Sequence, residues 1–214
     1  MTIILKDLSH ARLSDWLAAA ENKKESDPIF AFISTWISFN YYYATFALAN
    51  NNAFERWANA NRSGNKGDRS QWLFLINCSD FLTFFGVFKS KYADLFTMSV
   101  KLPIQNMFYR DKKIPDGVSG ITQLRSLTTA QIFEVIYQIR NNLFHGSKNP
   151  FKDRRDRKLT TFSVNFLFPL MLELLDTTIG YELDAIEMSK SQQRVFELIR
   201  STKTRGDRDN DAWF

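Results

Sequence analysis

Residues 27–50 read DPIFAFISTWISFNYYYATFALAN, and this stretch decides the fold class. Asp27 followed by Pro28 is a helix start. The carboxylate can accept from a first-turn amide, and proline lacks an N–H that would otherwise go unbonded there. Phe32, Trp36, Phe39, Tyr43 and Phe46 then recur at alternating spacings of four and three, with Ile29, Ile33 and Ile37 beside them. A helix apolar around so much of its circumference belongs at the centre of a bundle. Asn50, Asn51 and Asn52 mark its end.

Working outward, residues 7–22 read as a short amphipathic helix, joined by the charged link Lys23, Lys24 and Glu25. A short helix over 53–60 and a polar loop over 61–68 follow the central helix. Residues 70–88 read as one aromatic-rich helix through Trp72, Leu75, Ile76, Leu82 and Phe85, extended through Tyr92 and Phe96. Residues 98–126 have no sustained period and contain Pro103, Pro115, Gly117 and Gly120. They read as a long loop insertion carrying Arg110, Lys112 and Lys113, and structureless segments of that length often serve as lids or binding loops.

Thr128 and Gln131 then form a capping box, with Leu127 and Ile132 as its hydrophobic staple. The core stripe of this helix is Ile132, Ile136, Ile139 and Leu143, and Gly146 is placed to stop it. A final apolar helix is expected over 159–183, kinked at Pro169. No alternating run is long enough to argue for a sheet. The expectation is an all-α chain: an N-terminal helix and link over 1–26, a helical domain over 27–200, and a flexible polar tail over 201–214.

Composition narrows the function classes. With 214 residues, 44% hydrophobic and 24% charged, the chain is neither disordered, collagen-like nor a disulfide scaffold. The single cysteine, Cys78, lies in an apolar run and reads as a buried, inert thiol in a reducing cytoplasmic setting. The N-terminus is only briefly apolar before Lys6 and Asp7, unlike a signal peptide. The most apolar stretch, 162–175, is interrupted by Ser163, Asn165, Pro169 and Glu173. A bilayer span needs about 20 apolar residues, so a soluble protein away from membranes is expected.

Phosphate-loop and dinucleotide glycine patterns are absent from the sequence. His10 and His145 with one cysteine do not suggest a zinc site. Asp207, Asp209 and Asp211 imitate a calcium loop, but Ala212 stands where its glycine is needed. No metal and no cofactor is expected.

What remains is Arg140-Asn141-Asn142-Leu143-Phe144-His145-Gly146 at the end of the capped helix. On a helical wheel Glu134, Gln138, Asn141 and His145 form a polar stripe opposite the core stripe. Arg140 and His145 are five residues apart and point about 140° apart on an ideal helix. Two copies meeting near a two-fold axis can bring arginine and histidine together more easily than one copy can. Asn40 and the tyrosines Tyr41, Tyr42 and Tyr43 read as core and interface residues.

The RNNLFHG sequence at a helix end, in an aromatic-rich helical chain, resembles the HEPN superfamily, the higher eukaryote and prokaryote nucleotide-binding domains. Many members are metal-independent RNA-cleaving toxins or defence effectors. Residues 36–40, Trp-Ile-Ser-Phe-Asn, also resemble the first core helix of prokaryotic members. The resemblance implies a HEPN-like helical bundle acting as a homodimer, with Arg140, Asn141 and His145 catalytic. It implies an endoribonuclease of toxin or anti-phage type, held in check by an antitoxin or other regulatory protein. Some members carry a modifiable tyrosine two residues after the histidine; Ser147 stands there in this chain. The alternative is a non-catalytic RNA- or nucleotide-binding module using the same pocket.

Such cleavage proceeds by attack of the ribose 2′-OH on the adjacent phosphorus. Histidine suits the proton transfer, and an arginine fork suits the phosphorane oxygens. The net charge is +5, and residues 140–158 alone hold seven basic and two acidic residues, a net +5. Lys148, Lys152, Arg154, Arg155, Arg157 and Lys158 are therefore the expected RNA-binding residues of a basic loop, with Phe151 as a stacking face.

Overall fold

The computed structural model describes residues 10–61, 67–106, 112–145, 153–179, 193–195 and 197–201. The order is α1 (His10–Lys23), α2 (Pro28–Ala49), α3 (Asn51–Ala60), α4 (Asp68–Asn77), α5 (Ser79–Lys91), β1 (Ser99–Leu102), β2 (Ile104–Gln105), β3 (Lys113–Ile114), β4 (Gly120–Gln123), α6 (Thr129–Phe144) and α7 (Arg154–Ile179). Asp27 caps α2 as expected, accepting from the Phe30 amide at 3.1 Å. Helix α2 is central, packing against α1, α4 and α7. Leu13 and Leu17 of α1 are fully buried in the same core as Phe32 and Phe39 of α2.

The helix expected over 70–88 is two helices. It starts earlier, at Asp68, and breaks at Cys78. Cys78 is extended, and α4 and α5 are bent by 69°. Apolar residues on both sides of the break hide it in the sequence. The bend turns Trp72 and Leu75 into the core beside α2, while Phe81, Phe85 and Phe88 enter another part of the same core with Phe96, Phe133 and Phe166, joined to α2 where Phe133 stacks on Phe39. Cys78 is consequently half-buried, not fully buried.

The expected loop insertion is also partly regular. β1 pairs antiparallel with β4, and β2 with β3. Val100 and Leu102 turn into the core while Ser99 and Lys101 face outward. Four-residue and two-residue strands are too short for their alternation to stand out from the sequence. Gly117 and Gly120 have φ of 72° and 92°, in the region that a side chain disfavours. The protein is thus mostly helical, consistent with the expected all-α class, with two small two-stranded sheets among the described residues.

The capping box of α6 is complete. Thr128 Oγ1 accepts from the Gln131 amide at 3.2 Å, and Gln131 Oε1 accepts from the Thr128 amide at 2.9 Å. Helix α7 begins five residues earlier than expected, so the basic segment Arg154 to Lys158 is helix and not loop. Asp153 caps it, accepting from the amides of Arg155 (2.7 Å) and Asp156 (3.2 Å). Pro169 lies inside α7. Contrary to the expectation for 162–175, residues 154–177 are long and apolar enough to cross a membrane, with 67% of that helix's apolar window buried inside the fold. Such burial is what the core helix of a bundle shows.

Candidate active site

Arg140 lies three turns into α6, where the apolar stripe gives way to polar residues. Its guanidinium is held from several sides. One nitrogen donates to Asn141 Oδ1 at 2.8 Å, and Asp68 Oδ2 lies 3.7 Å away. The rings of Phe144, Trp36 and Tyr137 sit 4.9, 5.5 and 5.7 Å from its central carbon. These are cation–π distances, and the flat guanidinium suits such stacking. The side chain is only 21% exposed, and its Nε is buried without a hydrogen-bond acceptor.

Asp68 is the residue that sequence reasoning missed. It opens α4, where a carboxylate favours the positive end of the helix. Its Oδ1 accepts from the Tyr43 hydroxyl and, at 2.7 Å, from Asn40 Nδ2; its Oδ2 accepts from the Tyr137 hydroxyl at 3.2 Å. Asn40 also donates to the Tyr43 hydroxyl oxygen. Burial, then Asp68, push the Tyr43 hydroxyl well above the ordinary tyrosine range and raise that of Tyr137 as well, so both act as neutral donors. Tyr43 lies in the core as expected, and with the half-buried Asn40 it also belongs to the shell around Arg140. No local spacing links Asp68 to Arg140; the only signal was an acidic residue at a helix start.

His145 is the C-cap of α6 and is exposed. Its backbone amide bonds to Asn141 O at 3.1 Å. Asn141 is half-buried, its carbonyl oxygen committed to Arg140. The polar stripe expected opposite the core stripe is partly internal. Gln138 and Asn142 are buried, with Gln138 Nε2 donating to Asn142 Oδ1 at 2.7 Å and Asn142 Nδ2 to Gln105 O at 3.0 Å. Asn106 Nδ2 donates to Gln138 Oε1 at 3.1 Å. These bonds clamp the end of α6 to the β2 region, a role that the i, i+4 spacing of Gln138 and Asn142 hints at.

Arg154, Arg155, Arg157 and Lys158 are all exposed on the first turns of α7. Gly146, Ser147, Lys148, Phe151 and Lys152 lie outside the described residues. Among the described residues, no three His, Cys, Asp or Glu side chains are grouped to hold a metal ion. Comparison of the chain with family models, curated proteins and solved structures returned no match.

Proposed function

We propose that the chain is a metal-independent endoribonuclease of toxin or anti-phage defence type, with its chemistry at Arg140 and His145. The observation that carries this reading is the state of Arg140. Asp68 lies 3.7 Å from it, beyond the ~2.7–2.9 Å of a charge-assisted hydrogen bond, and is already satisfied by Tyr43, Asn40 and Tyr137. The arginine is therefore oriented in advance, and Asp68 answers only part of its charge. Positive charge fixed in a partly desolvated place is what a phosphorane needs, because no reorganisation is required as charge develops.

His145 stands exposed one turn further on. In the reaction the 2′-oxygen loses its proton and bonds to phosphorus, and the P–O5′ bond breaks. The 5′-oxygen takes a proton, leaving a 2′,3′-cyclic phosphate and a 5′-OH. His145 serves one of these two proton transfers, since an imidazole can both accept and donate a proton. Arg140 steadies the non-bridging oxygens, and Asn141 holds Arg140 in register. The ~140° between Arg140 and His145 on one helix makes a composite site the natural arrangement, with the histidine of a second copy approaching the arginine of the first.

The test is incubation of the purified chain with single-stranded RNA in a chelator, with the product ends identified. Cyclic phosphate ends are expected, and Arg140→Ala and His145→Ala should each lower the rate at least about a hundredfold. Cleavage that survives both substitutions overturns the reading. The alternative, a binding module without cleavage, draws on the partial neutralisation of Arg140 by Asp68. It expects RNA to bind and remain intact.

A further inference from the structure

We infer that a basic groove between the β1–β4 sheet and the first turns of α7 is a track for the phosphate backbone of single-stranded RNA, an inference that rests on the RNA-cleaving reading above. The groove encloses about 610 Å3, with Lys101, Ile121, Arg154, Arg155, Lys158 and Leu159 among its lining and no carboxylate among its described walls. Lys101 and Ile121 are direct cross-strand partners, so both stand on the outer face of the sheet. Arg154 and Lys158 are one helical turn apart and share a face of α7. The two elements meet through groups of one sign, although the sheet lies in a segment with no legible period.

These cations are not neutralised within the described fold. Of the two nearby acids, Asp153 caps α7, and Asp156 is buried at 7% exposure. Among the described residues, Lys101, Arg154, Arg155 and Lys158 form no ion pair, and Arg155 donates only to Pro103 O at 3.4 Å. Four basic residues at a helix N-terminus also oppose the helix dipole, which favours anions there. Such an arrangement is unfavourable for the isolated fold and favourable once a polyanion lies along it.

The apolar part of the lining selects the form of the polyanion. Ile121 is 80% exposed beside Lys101, and Leu159 lies beside the α7 cations. A duplex keeps its base faces stacked inside, whereas a single strand offers them to apolar side chains. A second cavity shares Arg155 and Leu159 with the groove and is lined further on by Asn142 and Leu143 of α6. This second cavity, about 40 Å3 and also lined by Asp156, places the groove beside the C-terminal part of α6, and the described lining of neither cavity includes Arg140 or His145.

The test is fluorescence anisotropy with a labelled oligouridine of about twelve nucleotides, on His145→Ala protein so that the probe stays whole. Lys101→Ala, Arg154→Ala and Lys158→Ala are added together. Binding should weaken at least about tenfold, and the slope of log affinity against log salt should fall by about 2, at ~0.7 per lost phosphate contact. Lys101→Glu alone, on an exposed strand face, should weaken binding too and serves if the triple variant does not fold. Unchanged affinity and slope overturn the inference, as does a parent protein that prefers polyglutamate or phosphatidylserine vesicles to RNA. Binding that responds as expected while the wild type never cuts RNA overturns the cleavage reading and leaves the track standing. Cleavage whose KM ignores the groove substitutions overturns the track and leaves the cleavage reading standing.

Discussion

Arg140 and the cations at the start of α7 stand on consecutive helices and carry the same charge, yet the fold treats them in opposite ways. Arg140 is drawn inward, enclosed by Trp36, Tyr137 and Phe144 and steadied by Asp68 and Asn141. Arg154, Arg155, Arg157 and Lys158 are left in water. The physical difference is desolvation. A cation taken partly out of water needs partners from distant parts of the chain, and those partners fix its orientation. A cation left in water needs none; it acts through the summed field and loses that influence as salt rises. The first environment suits chemistry and the second suits attraction.

Substitutions can break this comparison. The largest effect on stability is expected at Asp68. Asp68→Ala strips acceptors from Tyr43, Asn40 and Tyr137 and leaves Arg140 without its carboxylate. A loss of about 2–3 kcal/mol in urea unfolding is expected, since several partly buried donors lose a charged acceptor at once. A neutral result would show that water replaces Asp68 freely and that the Arg140 cage is not a designed environment.

A pH titration of stability sharpens the same point. The folded-state pKa of Tyr43 is raised, first by burial and then by Asp68. The folded protein therefore holds its proton more tightly than the unfolded chain does. This contribution is fully present below the ordinary tyrosine pKa of about 10 and is lost as pH rises above it. Denaturation midpoints should fall on the alkaline side of about pH 10, less steeply in Tyr43→Phe. An equally steep fall in that variant would shift the cause to other groups.

Thr128→Ala should cost about 1 kcal/mol through the lost cap of α6, measurable as a lower melting temperature. Lys158→Ala should stay within about 0.5 kcal/mol of the parent in the same measurement, because an exposed lysine with no ion pair among the described residues contributes little to folding. A Lys158 effect as large as that of Asp68 would erase the distinction between the two regions.

Much of this fold was legible because it rests on short-range rules. The Asp27–Pro28 start, the four-three aromatic spacing of α2 and the Thr128–Gln131 box all act within one or two turns, and all appear where expected. The break at Cys78 was hidden because Leu75 and Leu82 flank the polar residues Asn77, Ser79 and Asp80 at a spacing of seven, which one continuous helix also gives. The strands between residues 99 and 123 were hidden because they are too short to establish a period and because their partners lie up to 24 residues away. The start of α7 was misplaced because a run of basic residues reads as solvated loop, whereas Asp153 supplies a cap that begins the helix there.

The sequence by itself determined a helical bundle around residues 28–49, a capped helix ending in RNNLFHG, and a concentration of positive charge just beyond it. These follow from local propensity, periodicity and counting. Tertiary structure alone decided that Asp68, 72 positions before Arg140, becomes its carboxylate partner. It also decided that Lys101 joins the cations of α7 across a groove. Both pairings depend on how helices and strands close on one another, and no spacing along the chain encodes that closure.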